Sequence, residues 1–144
     1  FVAAARQLAV SGTRDEDILF AWNSMLLVFP AVRVGFLDKL KNRYRLFLFS
    51  NTNALHLQSF QKSFREVYAR ELDTHFEKAW YSHVINLRKP DVEAFHFVVN
   101  DAALDPAETL FIDDALVNVE GAKSAGLQGR HLEPGMTVLE LFEV

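Results

Sequence analysis

The sequence contains no cysteine, and this absence excludes several kinds of chemistry. Without a thiol the protein forms no disulfide, holds no zinc ion through thiolates and has no cysteine nucleophile. This composition fits a reducing compartment, so we expect a cytoplasmic protein. Of the 144 residues 50% are hydrophobic, which is enough for one ordinary domain with a packed core.

Long hydrophobic runs and an excess of positive charge are also absent. The longest apolar run, 25–29, is far too short to cross a bilayer, and no signal-peptide pattern is present. The formal net charge is −4, whereas nonspecific binding to nucleic acid or to an anionic membrane requires a clustered basic face. We therefore expect neither nucleic acid nor a membrane as a partner.

The chain divides into a helical first third and an alternating remainder. Up to residue 41, apolar residues recur at helical spacing, and Thr13 followed by Glu16 is a capping-box pattern typical of a helix start. From residue 45 short apolar strands alternate with helices, which is typical of an α/β fold with a parallel sheet. The predicted helices are 1–10, 13–27, 30–41, 54–70, 90–100, 116–125 and 138–142, with a turn at 105–108, and the predicted strands are 45–49, 79–82, 110–113 and 128–132.

Three polar motifs stand at or near the ends of the predicted strands. Ser50 follows the first strand, Lys89 lies in a loop, and the pair Asp113 and Asp114 ends a later strand. Each motif alone has an ordinary explanation, as a helix-capping turn, a surface lysine or a solvated acidic helix start. Ligands of open α/β sheets bind beyond the carboxyl ends of the strands, so the topology brings the three motifs together. Together they predict a site for a phosphate group and a divalent metal ion.

The chemistry of these residue types supports that prediction. Ser50 offers a hydroxyl, and the main-chain N–H groups of Asn51 and Thr52 lie beside a helix start, where anions are favoured. Two adjacent carboxylates after a hydrophobic strand repel each other unless a cation or a helix N-terminus compensates their charge. Oxygen ligands with bound water are what Mg²⁺ prefers, and Lys89 would neutralise a bound phosphoryl group.

In this order, the motifs resemble those of a known superfamily. Residues 46–53 (LFLFSNTN), 88–91 (RKPD) and 110–114 (LFIDD) resemble the second, third and fourth motifs of the haloacid dehalogenase (HAD) superfamily, most of whose members are phosphatases. Residues 49–56 (FSNTNALH) are similar to the sugar-phosphate phosphatase branch of subfamily I, which carries a helical cap, and to the phosphatase-like domain of soluble epoxide hydrolase.

The resemblance implies a Rossmann-like core with a parallel sheet over residues 30–144 and the C-terminal part of a helical cap over residues 1–29. The first motif of the superfamily, a strand that ends in the nucleophilic aspartate, is not found in the sequence. We expect that aspartate, the acid/base residue and the first strand to precede Phe1. Residues 1–144 alone are then expected to be inactive, and their sheet is expected to have a gap where the first strand belongs.

The resemblance also implies roles for individual residues. Ser50 binds the transferring phosphoryl group with Asn51 nearby, and Lys89 stabilises the charge on the nucleophile and the phosphoryl oxygens. Asp114 is implied as a direct Mg²⁺ ligand and Asp113 as a ligand directly or through water. Weaker candidates for supporting the site or contacting the substrate are Asn118 and, within a segment similar to the cap signature of the branch, Asn23 and Trp22.

Two further residues bear on these assignments. Relatives often carry glycine where Asn86 precedes the lysine, and asparagine is the commonest non-glycine residue to accept a left-handed backbone, so we expect the turn to survive. The five histidines show no metal-ligand spacing, so we expect none of them to be catalytic, and His56, which follows the Ser50 loop, is the best exception.

The implied function is a Mg²⁺-dependent phosphatase that acts on a small phosphorylated metabolite, such as a sugar phosphate, through an aspartyl-phosphate. A dehalogenase or a phosphomutase would share the fold, although the pair Asp113 and Asp114 speaks against a dehalogenase, which needs no metal. A non-catalytic binding protein that retains the fold is the second alternative. Nothing in the sequence indicates the oligomeric state.

Overall fold

A computed structural model describes residues 1–142, and its elements follow the predicted order. The helical first third and the later alternation of strands and helices are confirmed, and the strand bounds differ from the predicted ones by at most two residues. The helices are α1 Val2–Leu8, α2 Asp15–Asn23, α3 Ala31–Leu40, α4 Ala54–Tyr68, α5 Ser82–Ile85, α6 Val92–Asp101 and α7 Leu116–Ser124; the strands are β1 Phe47–Ser50, β2 Lys78–Tyr81, β3 Leu110–Asp113 and β4 Gln128–His131; and 3₁₀ turns occupy Leu72–His75, Pro106–Glu108 and Val138–Leu141.

The four strands pair in parallel, as the alternation predicts. β1 pairs with β2, so that Ser50 lies opposite Tyr81, and β3 pairs with β4, so that Asp113 lies opposite His131. The result is two two-stranded sheets, and within residues 1–142 neither β1 nor β3 is paired along its second edge. The predicted core ends at residue 144, and residues 143 and 144 lie outside the part of the chain that the structure describes.

Aromatic packing joins the two sheets. Phe95 of α6 is 1% exposed and meets Phe49 of β1 and Phe111 of β3 edge-on, with ring centroids 5.7 Å and 5.1 Å away. Such pairs contribute about 0.5–1.5 kcal/mol each beyond the area that they bury. The core around Phe95 therefore fixes β1 relative to β3, although no backbone hydrogen bond joins the two strands. Its other buried members are Val99, Ala122, Ala125 and Leu127.

Local signals at several element ends are confirmed. Asp105 caps a 3₁₀ turn by accepting a hydrogen bond from the N–H of Ala107, and Pro106 occupies the first position of that turn. Asn86 adopts the left-handed backbone that was expected of it, with φ 55°. Gly126, with φ 91°, follows the end of α7, where only a residue without a side chain takes that conformation easily.

The predicted start and end of the second helix are wrong. α2 begins after Arg14 and has no side-chain cap, and the Thr13 hydroxyl instead donates to the carbonyl of Val10, 2.7 Å away. The helix stops at Asn23, where the hydroxyl of the C-cap residue Ser24 donates to the Ala21 carbonyl. A complete capping box occurs elsewhere, between Thr137 and Glu140. Over residues 1–142, we find no helix with the length and apolar character needed to cross a membrane.

Candidate active site

The loops that follow β1 and precede α6 are joined by one side-chain amide. Asn51 accepts a hydrogen bond from the N–H of Lys89 at 3.0 Å and donates to the Lys89 carbonyl at 2.8 Å. Both main-chain polar groups of Lys89 are therefore satisfied by a single residue of the Ser50 loop. The Lys89–Pro90 peptide bond is cis. The sequence predicted that Ser50 and Lys89 would be neighbours, and the structure joins them through Asn51.

A second side chain holds the Ser50 loop to the end of β2. The hydroxyl of Ser82, the first residue of α5, lies 3.0 Å from the N–H of Thr52 and 3.1 Å from the Thr52 carbonyl. The Thr52 N–H is therefore occupied, and the expectation that it is available to an anion is wrong. Sequence reasoning missed Ser82, because a serine at the start of a four-residue helix carries no pattern that points across to β1.

The side chain of Lys89 is buried at the carboxyl end of β3. The residue is 8% exposed, and its Nζ lies 2.7 Å from Oδ2 of Asp113. The ammonium group also lies 5.5 Å from the ring centre of Phe49 and 5.3 Å from that of Phe111, where the ring faces attract a cation. The carboxylate and the two aromatic faces compensate the ammonium group for its lost hydration.

Asp113 uses both of its carboxylate oxygens inside the site. While Oδ2 meets Lys89, Oδ1 accepts hydrogen bonds from the N–H of Ala115 at 2.9 Å and from Nδ2 of Asn118 at 3.0 Å. Burial alone would raise the pKa of Asp113, but the hydrogen bonds from Lys89, Ala115 and Asn118 outweigh it and hold the pKa below its usual value of 3.8. The carboxylate is therefore ionised at neutral pH. Asn118 supports the loop through Asp113, as the resemblance implied.

Asp114 is arranged differently from its neighbour. It is exposed, and within residues 1–142 its carboxylate has no hydrogen-bond or ion-pair partner. Its main-chain carbonyl lies 3.0 Å from Nε2 of His131, at the end of β4. Because a carbonyl only accepts, Nε2 of His131 carries the hydrogen. The loop is thereby fixed while the Asp114 carboxylate stays available. His131 was missed because its partner is a main-chain atom.

The hydroxyl of Ser50 is the second group left available. Ser50 is the last residue of β1 and is half-buried, and its hydroxyl makes no hydrogen bond within the described residues. The neighbouring Asn51 is fully engaged with Lys89, so its role in phosphate binding stays a prediction. The Ser50 hydroxyl and the Lys89 ammonium group both donate hydrogen bonds, and the loops that carry them are joined through Asn51, an arrangement that suits an anionic oxygen.

The two weak candidates from the first third lie at the end of α2, against α4 rather than against Lys89. Trp22 stacks on His56, with ring centroids 5.0 Å apart. Nε1 of Trp22 and Oδ1 of Asn23 are buried, and neither has a hydrogen-bond partner in the part of the chain that the structure describes. The structure thus brings together Ser50, Asn51, Lys89, Asp113, Asp114 and Asn118 but places Trp22 and Asn23 apart from them.

A glycine in α7 makes room for the Lys89 loop. A Cβ atom on Gly121 would lie 2.3 Å from the carbonyl oxygen of Pro90 and 3.1 Å from the ring of Phe95. No other residue type fits this close approach of backbone to helix. Sequence analysis could not predict this close approach, because a single glycine within a helix does not indicate which part of the chain packs against it.

The carboxylates fit part of a magnesium site. Among residues 1–142 there is no group of three or more histidine, aspartate or glutamate side chains arranged to hold a metal ion. Asp113 and Asp114 offer at most two side-chain ligands, and Mg²⁺ is commonly held by one or two carboxylates together with waters and substrate oxygens. The free carboxylate of Asp114 and the oxygen chemistry of the pair therefore fit Mg²⁺ better than zinc, which favours nitrogen and sulfur ligands.

Parallel strands, alternating helices and polar loops at the carboxyl ends of the strands define a Rossmann-like α/β protein. The chain belongs to the family described as haloacid dehalogenase-like hydrolase, which matches residues 2–126. The fold class and the family predicted from the motifs are thereby confirmed.

Two curated relatives and one solved structure carry names that bear on function. The chain is 26% identical over 120 residues to a D-ribitol-5-phosphate phosphatase of Bacteroides thetaiotaomicron, which covers 83% of this chain and 58% of that protein. It is 37% identical over 70 residues to a sesquiterpene phosphatase of Aspergillus oryzae, covering 48% of this chain and 36% of the relative. The structure of a HAD family enzyme from B. thetaiotaomicron, in complex with magnesium and inorganic phosphate, superposes with a TM-score of 0.88 at 33% identity, covering 96% of this chain and 70% of that one.

Proposed function

We propose that the protein is a Mg²⁺-dependent phosphatase that acts on a small phosphorylated metabolite such as a sugar phosphate. The observation that carries this proposal is the connection from Ser50 through Asn51 to Lys89 and Asp113. It joins the loop that carries a free hydroxyl to a buried ammonium group paired with Asp113, and the carboxylate of the adjacent Asp114 is unpartnered within the described residues. The two curated relatives with phosphatase names and the solved enzyme with magnesium and phosphate support it.

In this proposal Ser50 and Lys89 hold the phosphoryl group. The Ser50 hydroxyl donates to one phosphoryl oxygen, and the Lys89 ammonium stabilises the negative charge that develops as the group is transferred. Asp113 holds the Lys89 ammonium group in place, and Asn51 fixes the main chain from which the lysine extends. Asn118 and His131 hold the main chain around Asp113 and Asp114.

Asp114 would hold the metal ion directly, and Asp113 would contact it directly or through water, because Asp113 is already engaged with Lys89. Bound there, Mg²⁺ would supply positive charge to the phosphoryl oxygens. The expected reaction transfers phosphate to an aspartate and then hydrolyses the aspartyl-phosphate.

The proposal assigns residues 1–29 to a cap and residues 30–144 to the core. Trp22 and Asn23 lie at the end of α2, and the buried Nε1 and Oδ1 that they leave unpaired offer one donor and one acceptor. Both atoms are buried and lie apart from Lys89, so Trp22 and Asn23 stay the weaker candidates for contacting a sugar or polyol phosphate. In this proposal the protein is cytoplasmic and its substrate is a small phosphorylated metabolite.

The proposal is tested with the full-length protein and a panel of sugar and polyol phosphates. We expect phosphate release that requires Mg²⁺. Asp114→Asn should abolish this Mg²⁺-dependent turnover. Ser50→Ala should lower kcat/KM, whereas Ser63→Ala on the exposed face of α4 should leave it unchanged. Halide release without Mg²⁺, transfer of phosphate between sugar positions, or no turnover with any phosphate ester would each contradict the proposal.

A further inference from the structure

One histidine joins the end of α2 to the start of α4. Nε2 of His56 lies 3.3 Å from the main-chain carbonyl of Trp22, and the two rings are stacked with an angle of 29° between their planes. Because the carbonyl only accepts, the hydrogen of this bond is on Nε2. The contact therefore combines one hydrogen bond with one ring stack, both across the boundary between the first two helices and the core.

The same histidine is tied to the Ser50 loop. The main-chain N–H of His56 donates to Oδ1 of Asn53, 3.0 Å away, and Asn53 is the N-cap of α4. The residue is 9% exposed, so its ring is held between α4 and Trp22 rather than in solvent. His56 is thus connected on its main-chain side to the loop that begins at Ser50 and on its side-chain side to α2.

The helices on the far side of this contact are weakly attached. Neither α1 nor α2 contains a buried residue. The opposite side of Trp22 packs on Phe1, with ring centroids 4.3 Å apart, and faces a groove of about 470 Å³ between α1 and α2. Segments with few buried contacts open at low free-energy cost, so the few contacts that α2 does make decide its position.

We propose that His56 is a positioning residue that couples the placement of α2 to the loop from Ser50 to Asn53. Order imposed on that loop is transmitted through Asn53 to His56 and from the His56 ring to Trp22. The coupling to catalysis rests on the proposed function, since it takes phosphate as the ligand of the loop. A ligand shifts α2 only to the extent that it favours the arrangement in which this contact is formed.

Hydrogen exchange in the full-length protein tests the contact without any assay of activity. His56→Phe keeps a ring for stacking but cannot donate to the Trp22 carbonyl, and His56→Gln keeps a donor but has no ring. Exchange over 15–23 should be about five to thirty times faster in His56→Phe, which corresponds to 1–2 kcal/mol. His56→Gln should recover part of this protection. His96→Phe, at an exposed position of α6, is the matched control.

Helix α7, which lies in the core around Phe95, is the internal reference for the exchange rates over 15–23. Unchanged exchange over 116–124 shows that His56→Phe leaves the core folded. If exchange over 116–124 rises as well, Trp22→Leu removes the stacking partner without altering α4, and it should give the same increase over 15–23. Exchange over 15–23 equal to that of the parent protein in a folded variant would overturn the proposal.

Inorganic phosphate with Mg²⁺ then tests the coupling. In the parent protein, saturating phosphate should slow exchange over 15–23, and in His56→Phe it should slow exchange around 50–53 only. Equal slowing of α2 in both proteins would refute the coupling. Failure of the parent to bind phosphate, measured by calorimetry, would contradict the proposed function instead, and the phosphate-free exchange rates would still decide whether His56 holds α2.

Enzyme kinetics separate positioning from a merely structural role. With a polyol phosphate, His56→Phe should raise KM several-fold more than it lowers kcat. With acetyl phosphate, a smaller substrate, the increase in KM should be smaller than with the polyol phosphate, because only the coupling of the phosphate loop to α2 is lost. Equal losses with both substrates would contradict a positioning role.

Discussion

The side-chain amide of Asn51 pairs with the main chain of Lys89 in both directions. One donor and one acceptor of Asn51 meet the carbonyl and the N–H of Lys89 at 2.8 Å and 3.0 Å. A residue next to Ser50 therefore fixes the backbone from which the buried lysine extends. No other side chain could do this at the same length, since both a donor and an acceptor are required.

Asn51→Asp should damage the site while changing the shape of the side chain very little. The carboxylate still accepts from the Lys89 N–H, but it cannot donate to the Lys89 carbonyl and instead repels it. We expect a loss of about 1–3 kcal/mol in the free energy of unfolding, together with a lower kcat, because a partly buried carbonyl loses its partner. Urea unfolding and steady-state kinetics are the measurements. Asn100→Asp, at an exposed position of α6, is the control; equal behaviour of the two variants would contradict the paired role.

Lys89→Met should lower both activity and stability. Lys89 and Asp113 are 9% and 8% exposed at their side chains and form an ion pair of 2.7 Å. Removing Lys89 leaves the Asp113 carboxylate buried without its counter-charge, which costs about 3–5 kcal/mol. Chemical denaturation of the full-length protein measures this cost.

The double variant Lys89→Met/Asp113→Asn distinguishes the two effects. Removing the second charge should restore much of the lost stability, because no unpaired ion is then buried, but it should restore no activity. Activity that returns with stability would show that Lys89 matters only for the fold.

Gly121→Ala should destabilise the protein, although alanine favours helices. The added Cβ would lie 2.3 Å from the carbonyl oxygen of Pro90, so α7 and the Lys89 loop must separate. Overpacking of this kind costs about 1–3 kcal/mol. The exposed Gly35 of α3 is the matched control, since its added Cβ meets nothing within 4 Å, and Gly35→Ala should stabilise by about 0.5–1 kcal/mol. Thermal unfolding that shifts in the same direction for both variants would contradict this account of Gly121.

The sequence carried most of the fold because its signals are local. Apolar runs ending in polar loops located all four strands, and Asp105 and Asn86 adopt the cap and turn that their residue types favour. The capping box predicted at Thr13 is wrong: the Thr13 hydroxyl bonds to the preceding turn at Val10, and the helix begins after Arg14. Local competition of this kind cannot be seen in a spacing pattern.

The charged residues of the candidate site could be predicted from the sequence, whereas the residues that hold its main chain could not. Lys89 and Asp113 stand in motifs, and their meeting follows from parallel strands whose ends lie at one edge. Ser82 and His131 act through main-chain atoms of Thr52 and Asp114, so their side chains match no pattern of catalytic residues. The burial of Lys89 was also hidden, because a lysine before a proline looks exposed until Phe49 and Phe111 are placed on either side of it.

A buried histidine far from these loops should make stability depend on pH. His75 is 2% exposed, and its Nδ1 lies 3.1 Å from Oδ1 of Asp38, which also binds Arg70. Burial, followed by the charge of Arg70, lowers the pKa of His75 below its usual 6.5, while Asp38 acts in the opposite direction and Lys41 adds to the lowering. The folded protein therefore holds His75 neutral.

The sign of the effect follows from which state binds the proton. As the pH falls through 6.5, the unfolded chain protonates His75 while the folded protein does not, so the free energy of unfolding decreases. The decrease ends once the pH is below the pKa of the folded state. Asp38 contributes in a separate window, because its pKa lies below 3.8 in the folded protein and its stabilisation is lost only in stronger acid.

His75→Phe should reduce this dependence. Phenylalanine fills a site already lined by the rings of Phe64 and Phe76 and carries no titratable group. Urea unfolding at about pH 7.5 and about pH 5 should show a smaller difference in the free energy of unfolding for His75→Phe than for the parent protein. His96→Phe, which removes an exposed histidine, should leave the parental difference intact. If His75→Phe keeps the full difference between the two pH values, the dependence comes from another group and the assignment to His75 is wrong.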